Sequence, residues 1–118
     1  MSSNKESIKF ISNIISLNVE KVTFFSKDFC PYCDAAKNLL SKLHVKYQEL
    51  NIDASDCPYD SADVRQHLVE GFDVRTFPQV FIGNLHIGGY DELRSVFKDR
   101  TLYSVLEEND ASFIRAGT

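Results

Sequence analysis

The sequence predicts one α/β domain, and three observations carry that expectation. Apolar residues recur at helical spacing in several stretches, with short β-branched and aromatic runs between them. The first two of those runs are separated by a helical stretch, which favours a parallel pair, whereas the last two are joined by a turn, which favours a hairpin. The chain has 118 residues, 43% hydrophobic and 25% charged, which suits one ordinary core and leaves little room for a second.

Each element has its own signature. Residues 5–17 place Ile8, Ile11 and Ile15 at helical spacing, flanked by Phe10, Ile14 and Leu17, and predict an amphipathic helix. KVTFFS, 21–26, has no helical stripe and reads as a buried strand. From Pro31 to about Leu43, Ala35, Ala36, Leu39, Leu40 and Leu43 share one side of a helix. KYQELNI, 46–52, alternates as a second strand does. The turn-rich DASDCPYDSAD then leads into a helix over roughly 61–70, with Val64, Leu68 and Val69 inward. QVFIG, 79–83, a turn at Asn84 and the short LHIGG predict a hairpin. Beyond Asp91, Leu93, Val96, Phe97, Leu102, Val105 and Leu106 predict one or two closing helices. The expected domain is the whole chain, 1–118, with its core over about 20–108 and a flexible tail at 109–118.

Composition narrows the function. A net charge of −4 does not invite nucleic acid or an acidic membrane surface. No apolar run approaches the ~20 residues of a membrane span. The opening MSSNKESIKF is polar, and Lys5, Glu6 and Lys9 break up the apolar residues around them, so no secretory segment is expected and a cytoplasmic location is. Three cysteines is an odd count, unlike a secreted disulfide scaffold.

Two of them, in FSKDFCPYCDAAKNLL, stand three apart where a strand gives way to a helix. A permanent staple between Cys30 and Cys33 would close too small a loop to restrict the unfolded chain much. A structural zinc site needs about four ligands, and Cys57, His44, His67 and His86 are scattered with no second pair. Redox chemistry fits better. With Cys30 as helix N-cap, Pro31 falls at the first helical position, where its missing N–H costs nothing. The Cys30 sulfur would then sit by unpaired backbone N–H groups and the positive end of the helix dipole, with Lys27 nearby. Such surroundings lower a thiol's pKa from ~8.5 towards ~3.5–7.5. Cys33, one turn further in, would be shielded, so Cys30 is expected to attack and Cys33 to resolve.

SKDFCPYC resembles the active-site signature of dithiol glutaredoxins. RTFPQVFIGNLHIGG is similar to the segment in which that family carries a cis-proline after Thr-Val, and GGYDEL to its glycine pair and aspartate. The resemblance runs from about Val22 to Leu106. It implies a thioredoxin fold, a mixed four-stranded sheet flanked by helices, here with an extra N-terminal helix. It also implies catalysis by Cys30 and Cys33, glutathione as reducing co-substrate with no metal, and glutathionylated or disulfide-containing proteins as partners. A monomer is expected.

In this family the backbone of Phe77-Pro78 would pair with the cysteinyl part of glutathione. Exposed N–H groups at Gly89-Tyr90 would take a carboxylate and the Asp91 side chain an ammonium. Asp91 equally suits a helix N-cap. Lys27 and Arg65 are the cation candidates for the glycine carboxylate, Arg65 by counting back to the position where the family often has glutamine, with Gln66 adjacent. Tyr32 would form a cleft wall. The chain departs from the family pattern at Phe77 for valine, at Phe72-Asp73 for Thr-Gly, and at Asp99-Arg100, where a glycine is usual. Cys57 begins a second CPY without a second cysteine and reads as a turn with an incidental thiol. Three rivals stay open: a carrier of a [2Fe–2S] cluster held by Cys30 and glutathione from two subunits, a thioredoxin-like protein, although the chain has no tryptophan, and a redox-inert binding module.

Overall fold

A computed structural model describes residues 3–114. Its elements are α1 (Ser3–Ser16), β1 (Val22–Ser26), α2 (Pro31–Lys42), β2 (Tyr47–Asn51), α3 (Ser61–Phe72), β3 (Gln79–Ile82), β4 (Leu85–Gly88), α4 (Tyr90–Lys98) and α5 (Thr101–Glu108). The strands form one mixed sheet in the order β2-β1-β3-β4. β1 runs parallel to β2, with Val22 opposite Tyr47, and antiparallel to β3, with Phe25 opposite Gln79. β3 and β4 make the hairpin, irregular between Val80 and Phe81. The two central strands are buried at every position and the two edge strands are half open, as a sheet covered on both faces requires.

Strand alternation sends successive side chains to opposite faces, and β1 shows it. Phe24 meets Tyr47 and the Lys37 ammonium of α2, whereas Phe25 meets Phe81, which packs edge-on against Phe72 of α3. Phe24, Phe25, Phe81, Leu40, Leu68, Leu93 and Leu102 are all essentially inaccessible. Full burial of such a side chain stabilises a fold by about 1.5–3 kcal/mol. The core that positions the site therefore has two halves, one under α2 and one under α3.

Two expectations are corrected. In α1 the inward stripe is Ser7, Ile11 and Ile14, and Ile8 and Leu17 face solvent. The cause lies on α3. A side chain at Gly71 would come within 3.1–3.3 Å of the Ser7 and Ile8 backbone, so the helices approach closely and only a small residue fits at Ser7. The Ser7 hydroxyl, 2.9 Å from His67 Nδ1, donates to Glu70 at 3.3 Å. The chain after Asn109 is a packed segment as far as Ile114: Lys46 N–H donates to Ser112 O (3.0 Å), Ile114 N–H to Leu43 O (2.6 Å), and Phe113 lies on Tyr103. The rest of the expected flexible tail, residues 115–118, is outside the described residues. Asp73 and Arg100, the two departures noted at the ends of helices, both take left-handed backbone conformations (φ 57° and 72°). Asp73 ends α3 as its C-cap and Arg100 precedes α5, stacking on Tyr103.

Candidate active site

Cys30 is the N-cap of α2, with non-helical φ −124° and ψ 89°. Its carbonyl accepts the first helical bond from Asp34 N–H at 3.2 Å, and its sulfur accepts the Cys33 N–H at 3.2 Å. Pro31 occupies the first turn. Ala36, Leu39 and Leu40 continue along the helix the buried face that Cys33 begins. The two sulfurs are joined in a disulfide, with the Cα atoms 5.1 Å apart. Cys30 is 9% exposed and Cys33 only 2%. Attack from outside therefore reaches Cys30 first.

Opposite Cys30 runs the segment Thr76-Phe77-Pro78, in which the Phe77–Pro78 peptide is cis. The Phe77 carbonyl oxygen lies 3.6 Å from Cys30 Sγ. Two hollows meet at this point. The first, about 260 Å³, is lined by Lys27, Phe29, Cys30, Pro31, Tyr32, Arg65, Arg75, Thr76 and Phe77. The second, about 290 Å³, is lined by Tyr32, Thr76, Phe77, Gly89, Tyr90, Asp91 and Glu92. Larger hollows of about 430 and 450 Å³ lie elsewhere and contain neither Cys30 nor Cys33. Size does not mark the site here; the paired sulfurs do.

Charge divides the cleft. At one end stand Lys27, Arg65 and Arg75. The Arg65 guanidinium lies over the Phe77 ring at 5.3 Å and pairs with Asp53 at 3.2 Å. The Asp28 N–H, together with Arg65 and Ser61, holds the Asp53 carboxyl below its ordinary range. A cation so braced is preorganised. Gln66 instead donates to Glu70, so Arg65 is the one of the two that lines the cleft. At the other end, Asp91 makes no hydrogen bond or ion pair among the described residues. Gly89, not Asp91, is the N-cap of α4, and Glu92 Oε1 accepts its N–H at 2.7 Å. The alternative of Asp91 as helix N-cap does not hold: Gly89 has that position, the Glu92 carboxylate reaches back to its N–H, and the Asp91 carboxylate stays free among the described residues. The backbone favours glycine at Gly88 and Gly89. Gly88 has φ +120°, and a side chain on Gly89 would press within 3.3 Å of the Pro78 carbonyl.

The structure therefore brings Lys27, Cys30, Tyr32, Arg65, Phe77, Gly89, Tyr90 and Asp91 to one continuous cleft, with the Tyr32 and Tyr90 rings 5.9 Å apart as its wall. Cys33 and Pro78 lie buried behind it. Arg75 and Thr76 also line it and were not among the candidates from sequence. Arg75 stands two residues before Phe77, just ahead of a bend, and nothing in its local sequence marked it for the cleft. Among the described residues, no group of three or more His, Cys, Asp or Glu could hold a metal ion, and no helix is long and apolar enough to cross a membrane.

A dithiol at a helix N-terminus, facing a cis-proline segment on a mixed sheet, defines a thiol–disulfide oxidoreductase of the thioredoxin fold. Comparison with known proteins narrows the class. The glutaredoxin family model matches residues 22–87. Glutaredoxin-C2 of Arabidopsis thaliana is 39% identical over 95 residues, 80% of this chain and 83% of that protein. Glutaredoxin-2 of Schizosaccharomyces pombe is 35% identical over 108 residues, 89% and 94% of the two chains. Among solved structures, the crystal structure of a buckwheat glutaredoxin–glutathione complex superposes with a TM-score of 0.78 at 30% identity, covering 97% of both chains. The chain belongs to the glutaredoxin family.

Proposed function

We propose that the protein reduces glutathione mixed disulfides and protein disulfides with glutathione as electron donor, in the cytoplasm and as a monomer. The observation that carries this reading is the polarity of the cleft about Cys30. Glutathione is a short peptide with a glycine carboxylate at one end and a γ-glutamyl ammonium and carboxylate at the other. Lys27, Arg65 and Arg75 suit the first carboxylate, Asp91 the ammonium, and the α4 N-terminus the second carboxylate. The Thr76–Phe77 backbone pairs with the cysteinyl unit between them. The buckwheat glutaredoxin–glutathione complex supports the same ligand class.

In the reaction, the reduced Cys30 thiolate attacks the glutathione sulfur of a mixed disulfide. A bond forms between Cys30 and that sulfur, and the substrate leaves as a thiolate that takes a proton from water. A second glutathione thiolate then attacks the bound glutathione sulfur, releasing glutathione disulfide and restoring Cys30. With a protein disulfide, Cys30 first forms a mixed disulfide with the target. Cys33 then attacks Cys30, frees the reduced target and leaves the Cys30–Cys33 bridge, which two glutathiones reduce. The 2% exposure of Cys33 suits a thiol whose partner is Cys30 alone. No observation of the fold favours the cluster-carrier alternative.

The test is reduction of hydroxyethyl disulfide coupled through glutathione, its reductase and NADPH. Cys33→Ser is expected to retain activity on glutathione mixed disulfides. A Cys33→Ser protein inactive on them would overturn the division of labour.

A further inference from the structure

Gln79 opens β3 directly after Pro78 and is 1% exposed. A buried primary amide needs partners for both its ends. Its Nε2 donates to the Thr76 carbonyl at 2.9 Å, and its Oε1 lies 2.7 Å from His86 Nε2. The direction of this chain is forced. A carbonyl only accepts, so Gln79 turns its NH₂ to Thr76; its own carbonyl then accepts, so His86 Nε2 must carry the hydrogen. His86 comes from β4, opposite Phe81. It sits between the rings of Phe72 and Phe81, 5.2 and 4.8 Å away. Burial pushes its pKa below the usual value, with Glu92 pulling weakly the other way. Its ordinary form is thus a neutral ring with the proton on Nε2.

The consequence reaches the cleft. The Thr76–Phe77 peptide is trans, and across a trans peptide the C=O of one residue and the N–H of the next point in opposite directions. Tying the Thr76 carbonyl to the buried Gln79 amide therefore turns the Phe77 N–H away from the interior, towards the hollows that Thr76 and Phe77 line. That N–H has no hydrogen-bond partner among the described residues. We propose that His86 and Gln79 are positioning residues: His86 locks the Gln79 amide, which holds the Thr76 carbonyl inward and presents the Phe77 N–H to the backbone carbonyl of the substrate's cysteine. Neither side chain touches the reacting sulfurs. The inference rests on the proposed reading of the cleft and adds to it two residues beneath the floor, Gln79 buried and His86 half-buried.

A purely structural role predicts lost stability alone; a positioning role predicts a change in substrate binding as well. The experiment compares His86→Leu, His86→Gln and Gln79→Leu in the full chain, with a glutathionylated peptide as substrate. His86→Leu and Gln79→Leu are expected to raise KM about 5–10-fold with kcat within about 2-fold, the mark of a lost interaction made alike in ground and transition states. The pKa of Cys30 should stay put. Glutamine places an N–H near the position of His86 Nε2, so His86→Gln should return KM to within about 2-fold of wild type. The double Leu variant should be no worse than Gln79→Leu alone, because one chain is broken once. Unchanged KM in a folded His86→Leu protein, or a His86→Gln protein as impaired as His86→Leu, overturns the proposal.

Two NMR observations need no substrate. The ¹⁵N spectrum of wild type should show His86 protonated on Nε2 and bare on Nδ1, and Gln79→Leu should shift the Phe77 amide. The opposite tautomer in wild type overturns the assignment even where a leucine variant fails to fold, and so does an unmoved Phe77 amide in a folded Gln79→Leu protein. Wild type inactive with glutathione would remove the earlier reading instead, and the NMR result would still decide this one.

Discussion

The tripeptide Cys-Pro-Tyr occurs twice in this chain, at 30–32 and at 57–59, with opposite outcomes. In the first, cysteine itself is the helix N-cap, proline is the first helical residue, and the sulfur accepts a backbone N–H of the first turn. In the second, Cys57 lies in a turn, its N–H bonded to Ala54 O, and the helix begins only after Asp60, which does the capping by accepting Asp63 N–H at 3.1 Å. Tyr59 packs against Phe10 of α1 rather than walling a cleft. The same three residues thus serve chemistry in one place and packing in the other. What differs is whether the sulfur or the residue three places later meets the orphan N–H groups of a helix.

The sharpest way to break this comparison is to exchange each sulfur for oxygen. Cys30→Ser should lower reduction of glutathione mixed disulfides by more than about 100-fold, because the nucleophile is gone. Serine is itself a good N-cap, so stability should change little. Cys57→Ser should leave the rate within about 2-fold, and a larger loss in the coupled assay would give the second tripeptide a role denied to it here.

Next in size is Arg65→Ala. The helix that the second tripeptide leads into carries this guanidinium to the cleft of the first, braced by Phe77 and Asp53. KM for glutathione mixed disulfides should rise about 5-fold with kcat nearly unchanged; steady-state kinetics that show a fall in kcat alone would contradict a binding role.

Asp60→Ala probes the capping half of the comparison. It should lower the unfolding free energy by about 1 kcal/mol and leave activity in place, as denaturant titration and the coupled assay together would report.

The smallest effect concerns acid. The folded-state pKa of His86 lies below its usual 6.5, so the unfolded chain takes up the proton first. Stability from this group is fully present above pH 6.5 and falls as pH drops below it towards the folded-state value. Replacing His86 with glutamine should flatten the stability curve across that interval, and an unchanged slope in pH-dependent melts would refute the assignment.

Much of this was legible in the sequence because it depends on near neighbours. The order of elements comes from residue spacing, and the capping geometry of Cys30-Pro31 from what each residue can do with its own backbone. Lys27, Tyr32, Gly89 and Asp91 were legible by resemblance, each tied to a local motif. Arg75 was missed because an exposed arginine next to a turn has no local signature of a cleft. Gln79 and His86 were missed as partners because they sit on two strands, and only the register of the hairpin sets them 2.7 Å apart. The inward stripe of α1 was read through Ile8 instead of Ser7 because the deciding residue, Gly71, is far along the chain.

The sequence alone determined that there would be a helix with a cysteine at its head and a second cysteine shielded one turn on, since bonds within four residues set both. Tertiary structure alone decided which charges face that sulfur, that Arg65 rather than Gln66 is turned to the cleft, and that Asp91 stays free while Glu92 closes the cap. Those outcomes depend on how α3, the Thr76–Pro78 segment and α4 pack around one sheet, and packing is a property of surfaces that meet only when the whole chain has folded.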